Sequence, residues 1–245
     1  MKAGIAFVEL YTSSPKGLGV KVTGTDRDNS MQGNFRDALI EKYGVAHPET
    51  ARTALWCAVT KRHVDVENAT AAHIFADSNG EDMMDAIFGR GPTDSELFSP
   101  LAGLILSTSA KYRYKKGLFV IVPMLDEDAT AHEVNEWHQM EAKPYKIRVV
   151  DHKAPNMKTF ISPESCGTWA DLDGEAIGFR NNYRPRARSL YFHFVCSMLR
   201  RAWNKGKKGK SLTDQLRKRF WGYSRPLHAA SYVASLCNGI RPRIP

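Results

Sequence analysis

The 245 residues are 42% hydrophobic and 25% charged, an ordinary globular balance for one large domain or a small pair, and carry a net charge of +9 at pH 7. No apolar run approaches the ~20 residues of a membrane-spanning helix, and residues 1–19, whose short apolar run is broken by Glu9, read as a strand rather than a signal peptide. Cys57, Cys166, Cys196 and Cys237 stand far apart with no CxxC pair, which indicates neither a disulfide framework nor a zinc ribbon and points to a reduced, intracellular setting.

Residues 5–10 and 18–24 read as strands around a Ser-Ser-Pro-Lys-Gly turn, and 26–33 is turn-rich. NFRDALIEKYG predicts a helix, with Phe35, Leu39, Ile40 and Tyr43 on one face and Gly44 as its stop. Residues 54–60, holding Cys57, and 69–75, holding His73, are strand candidates expected to open and close one hairpin. EDMMDAIF (81–88) predicts a short helix whose leading acids suit the positive end of the helix dipole. Residues 107–116 predict a helix closed by Gly117, and LFVIVP a buried strand. Residues 126–143 are acidic and poorly patterned, Pro144 opens the strand YKIRVVD, and 169–179 suggest a hairpin around Asp173-Gly174. The clearest helix is ARSLYFHFVCSMLRRA, with Ala187, Leu190, Tyr191, Phe194, Met198 and Ala202 on its core face. A Lys/Gly loop at 205–210 and a short C-terminal helical region follow, with no internal repeat. The fold class is α+β.

Charge is concentrated late in the chain. Between Arg200 and Arg225 ten Lys or Arg stand against one acid, Asp214, so the remainder of the chain sums to zero. Lys205, Lys207, Lys208, Lys210, Arg217, Lys218 and Arg219 are therefore candidate nucleic-acid contacts, since such density attracts phosphate polyanions in a salt-dependent way. A solvated helix face with a loop, or a nuclear-import signal, are the competing readings. Trp203 and Trp221 flank this run and suit either base stacking or core anchoring. Arg184, Arg186 and Arg188, around Pro185, suit either phosphate contact or coverage of apolar surface by their stems.

Several motif matches fail on spacing or context. GKKGKS (206–211) ends like a phosphate-binding loop, but Asn204 occupies the first glycine position and a helix precedes it. HEVNEWH (132–138) lacks the HExxH spacing of zinc proteases and reads as an exposed polar segment; no GxSxG elbow occurs. His73 differs in context. It lies in AAHIF, 28 residues before the apolar run that starts at Leu101. A lone histidine on an apolar face serves either as a structural hydrogen-bonder or as a base.

CAVTK, AAHIF, SPLAGLIL and YKKGLFVIVP follow one another here, then YKIRVVD, a W-x-DLDG element and RPRARSLYFHF. This order resembles the HNH endonuclease superfamily, and closely the fungal-type HNH proteins with a long C-terminal extension, over roughly residues 35–204. The resemblance implies a ββα-metal finger within a larger mixed domain with a basic C-terminal helical extension. It divides the chain into N-terminal elements (1–50), an HNH-like part (51–123), a packed α+β extension (124–204) and a basic tail (205–245). It further implies that His73 acts as general base on a water and that a divalent ion such as Mg²⁺ clamps the scissile phosphate.

Two positions depart from that pattern: the loop-holding asparagine is replaced by Ala102 and the second, metal-binding histidine by Lys111. An ammonium has no lone pair for a metal but can meet phosphate as a point charge. Asp77, with Asn79, Glu81 and Asp82 near it in sequence, offers oxygen ligands suited to Mg²⁺. The expectations are a metal-dependent nuclease acting on nucleic acid, with DNA the first candidate, or a non-cleaving nucleic-acid-binding module on the same fold. A protein-interaction scaffold is the third reading.

Overall fold

The computed structural model describes residues 29–49, 53–77, 80–88, 95–162 and 166–204, and Trp221. The expected strands at 5–10 and 18–24, the 205–210 loop, the basic residues from Lys205 to Arg219, the C-terminal helical region and Asn79 lie outside the described residues.

The described residues form a mixed α+β fold of small antiparallel pairs and helices. Helix α1 (Asn29–Tyr43) begins five residues before the expected start, buries Phe35, Leu39 and Tyr43, and ends at Gly44, whose φ of +58° suits a residue without Cβ. Strand β1 (Ala54–Cys57) pairs with β2 (Arg62–Asp65), and β3 (Ala69–His73) pairs with β4 (Gly103–Ser107). The expected single hairpin of 54–60 with 69–75 is therefore corrected. The β1 chain turns back after Cys57 through Lys61, at φ 52°, and takes the nearer segment as its partner. The two pairs still touch: the Ser107 N–H donates to Cys57 Sγ at 3.2 Å, so that buried thiol serves packing.

Helix α2 (Gly80–Phe88) lies between β3 and β4 in the chain, and α3 (Thr108–Lys115) follows β4 directly. Ser107 caps α3 by accepting from the Ala110 N–H at 3.2 Å, and Gly117, at φ +63°, ends the turn after it. Strands β3 and β4 with α3 thus make a ββα unit. Behind it, β5 (Phe119–Pro123) pairs with β6 (Tyr145–Val149). Phe119, Ile121 and Ile147 face the main core, whereas Val120 and Val122 face a second apolar cluster with Phe192, Phe194 and Met198.

Two further expectations are corrected. Residues 126–143 contain α4 (Ala131–Gln139), which buries Val134 and Trp137 and opens on a full capping box between Thr130 and Glu133. The T-x-x-E spacing was the available signal. His132 and Glu136 lie on the exposed face of this helix, 3.3 Å apart. The Asp173-Gly174 turn is real, with φ +85° at Gly174, but Trp169–Leu172 is a 3₁₀ turn rather than a strand. The returning chain pairs with β6 instead, Ile147 donating to Glu175 O at 2.8 Å and Ile177 to Tyr145 O at 2.9 Å.

Helix α5 (Ala187–Asn204) packs on β5 and buries every residue from Phe192 to Met198. Trp221 packs against Tyr191 and Phe194 of this helix, as a core anchor does. No helix among the described residues is long and apolar enough to cross a membrane.

Gly103 shows how tightly α1 is set on the ββα unit. A Cβ there would lie 2.4 Å from Phe35 Cζ and 3.0 Å from Ala72 O. Gly103→Ala is expected to destabilise the protein by about 1–3 kcal/mol through overpacking, read as a lower urea midpoint with unchanged slope.

Candidate functional site

His73 ends β3 opposite Gly103, and the missing side chain there leaves room for Phe35. The Phe35 ring stacks on the imidazole at 4.1 Å and 16°, while Phe98 meets it edge-on at 5.3 Å. His73 Nε2 is buried without a hydrogen-bond partner. Burial lowers the His73 pKa to about 4; Asp77 opposes the shift and the Lys111 charge adds to it. The ring is therefore neutral at pH 7.

Lys111 sits in the first turn of α3, and its Nζ donates to Ala71 O of β3 at 2.9 Å. That bond holds an ammonium beside His73. Ala102 is fully buried in the 3₁₀ turn Pro100–Ala102. No side chain is needed there to hold the loop, because Ala102 O accepts from the Ile74 N–H at 2.9 Å and Leu101 O from the Arg186 N–H at 2.9 Å.

A pocket of about 290 Å³ opens at this place, lined in part by Gln32 of α1, His73, Asp77, Lys111, Lys115 and His193 of α5. His193 was not among the residues singled out from sequence. It lies between Phe192 and Phe194 in a helix read as core, and no local motif marks it. Its Nε2 is 3.1 Å from Tyr114 O, its ring stacks on Tyr114 at 3.8 Å, and its Nδ1 is buried without a partner. Burial pushes its pKa down to about 3, with the Tyr114 carbonyl opposing. A neutral ring whose Nε2 faces a carbonyl carries its hydrogen there, which leaves Nδ1 as a bare acceptor.

Among the described residues no three His, Cys, Asp or Glu side chains converge to hold a divalent ion. Glu81, offered above as an oxygen ligand, accepts from Ser95 Oγ at 2.9 Å, from Glu96 N at 2.7 Å and from Leu97 N at 3.1 Å, and so closes the loop before β4 instead. Among the described side chains, Asp77 lines the pocket with His73; Asn79 and the Asp82 side chain lie outside the described atoms.

Arg184, Arg186 and Arg188 each have partners within the fold. Arg186 and Arg188 both pair with Glu96, a carboxylate 2% exposed. Arg184 donates to Lys143 O at 2.9 Å and lies over the Phe179 ring. All three thus have partners within the fold, Arg184 in the stem-on-apolar-surface manner that was one of the two expectations.

The chain matches no family model, no curated protein and no solved structure.

Proposed function

We propose that this protein binds nucleic acid through its phosphates and does not cut it, using a ββα scaffold whose pocket is served by ammonium groups in place of a metal. The observation that carries this reading is Lys111: its Nζ is tethered to Ala71 O at 2.9 Å beside His73, at the position where an HNH-like site needs a metal-binding imidazole. A positive charge fixed there repels a cation and attracts a phosphate oxygen. The state of His73 supports the same reading, because a base with a pKa of about 4 is poorly matched to abstracting a proton from water near pH 7. The local charge between Arg200 and Arg225 supplies the sequence-independent attraction that non-specific binding requires.

The test is plasmid nicking in Mg²⁺ or Mn²⁺ at low salt beside His73→Ala, with gel retardation on the same samples. Retarded DNA without nicking, fading as salt rises, is the expected result. Lys111→Ala is expected to weaken binding alike across sequences and to lower the log–log salt slope by about one. Nicking by the wild type that disappears in His73→Ala would overturn the proposal in favour of a nuclease. Absence of both nicking and salt-sensitive binding would leave a protein-interaction scaffold.

A further inference from the structure

We infer that the outer face of α3, with the turn packed on it, stacks the unpaired bases of a single nucleic-acid strand on Tyr112 and Phe160. This rests on the phosphate-binding reading above and adds the state of the strand that is bound.

The first observation is the pair of open rings. Ala110 and Tyr114 anchor α3 in the core and leave Tyr112 outside, 48% exposed. Phe160 is 63% exposed, and these two are the only exposed Phe, Tyr or Trp side chains among the described residues. One ring in water needs no explanation, but two on a shared basic patch mark a contact surface.

The second is rigidity, which Arg113 supplies. Its Nε donates to Asn156 O and its Nη2 to Thr159 Oγ1, both at 2.8 Å, and its guanidinium lies 4.2 Å over the Trp169 ring. Thr159 Oγ1 also donates to Asn156 O at 3.2 Å, so residues 156–159 form one turn clamped to α3. Tyr112 borders that turn on one side, its hydroxyl accepting from Asn156 Nδ2 at 3.4 Å. Phe160 follows on the other side, its backbone held by a bridge to Thr168. Rings on a frame already ordered lose little conformational freedom when a ligand arrives.

The third is charge. No acid occurs in residues 108–119 or 152–162, whereas Lys115, Lys116, Lys153 and Lys158 are exposed there. The acids that border the patch are engaged: Asp151 pairs with Arg201 at 3.2 Å, and Asp171, beside the Phe160 bridge, accepts from the Thr168 N–H at 2.7 Å. Lys115 stands one helical turn from both Lys111 in the pocket and Tyr112 outside it, so one strand can meet the pocket lysines and the ring together. Every nucleotide of a single strand offers an anion and a flat π face. A duplex presents its phosphates but keeps the base faces inside its stack, and an acidic peptide brings charge without a ring at every step. Open rings set among ammonium groups therefore match the single strand.

The experiment uses the full chain and fluorescence polarisation at low salt with one labelled DNA strand in three forms: alone, annealed to its complement, and with its bases removed. The intact single strand is expected to bind about tenfold tighter than either other form, the scale of one or two stacked bases. Tyr112→Ala and Phe160→Ala are each expected to weaken single-strand binding about fivefold to tenfold, with duplex binding and the melting curve unchanged. Tyr112→Phe keeps the ring and is expected to bind as the wild type does. Duplex or base-free strand bound as tightly as the intact single strand overturns the inference and leaves the general phosphate reading standing. A single-strand preference that survives in both alanine variants places the stacking surface elsewhere and overturns it too. No binding of any form overturns both readings and leaves this face to a protein partner.

Discussion

Between pH 7 and pH 5 the protein is expected to lose about 4 kcal/mol of folding stability, roughly 2 from each of His73 and His193. Both rings are held neutral by burial, His73 with its pKa down to about 4 and His193 down to about 3, against an ordinary value of 6.5. Below pH 6.5 the unfolded chain takes up a proton on each ring and the folded chain does not. Acid therefore favours unfolding throughout the window from about 6.5 down to 4 for His73 and to 3 for His193. A loss of this size is a large part of the 5–15 kcal/mol typical of a domain. Paired carboxylates weaken the fold mainly below about pH 4–5, so the upper part of the window reports the histidines. Urea midpoints measured at pH 7.5, 6.5, 5.5 and 5 check this, and His193→Gln should flatten the slope by about half. Stability that stays level down to pH 5 would show that these rings are not buried as described.

Glu96→Ala is expected to cost about 3–5 kcal/mol, the other large effect. The carboxylate is 2% exposed and is met by both Arg186 and Arg188. Its removal strands two guanidinium groups, 20% and 28% exposed, with no counter-charge at that point. The damage reaches the pocket, because Glu81 holds the Glu96 and Leu97 amides, and Arg186 N–H holds Leu101 O in the loop that precedes β4. A fall in melting temperature of the order of 10 °C follows from the usual ~2–4 °C per kcal/mol for a chain of this size. Arg188→Met should cost much less, because Arg186 still balances Glu96. Equal, small losses for both variants would mean that the pair contributes as an exposed one does.

Much of the local structure was readable residue by residue. The spacing of Phe35, Leu39 and Tyr43 located α1, and the helical stretch closed by Gly117 located α3, because these signals depend on neighbours within one or two turns. The pattern failed where burial is two-sided or pairing is long-range. In α5 all residues from Phe192 to Met198 are buried, so a one-face periodicity named only part of its core and passed over His193. The strands β3 and β4 are separated by about 30 residues, and hydrophobic runs do not specify which partner each takes. In α4, the capping box outweighed a composition that looked irregular.

The candidate site divides the same way. The sequence by itself determined the mixed α+β class and put His73, Ala102 and Lys111 where they stand, because side-chain identity and short-range periodicity are written in the chain. The tertiary structure alone decided that Phe35 covers His73, that Lys111 is tethered to Ala71 O, that Arg186 and Arg188 face Glu96, and that His193 reaches the pocket from α5, 120 residues along the chain from His73. The reason is physical. A charge or an imidazole takes its protonation state and partner from whatever packing brings within a few ångströms, and for these groups that neighbour lies far away in the sequence.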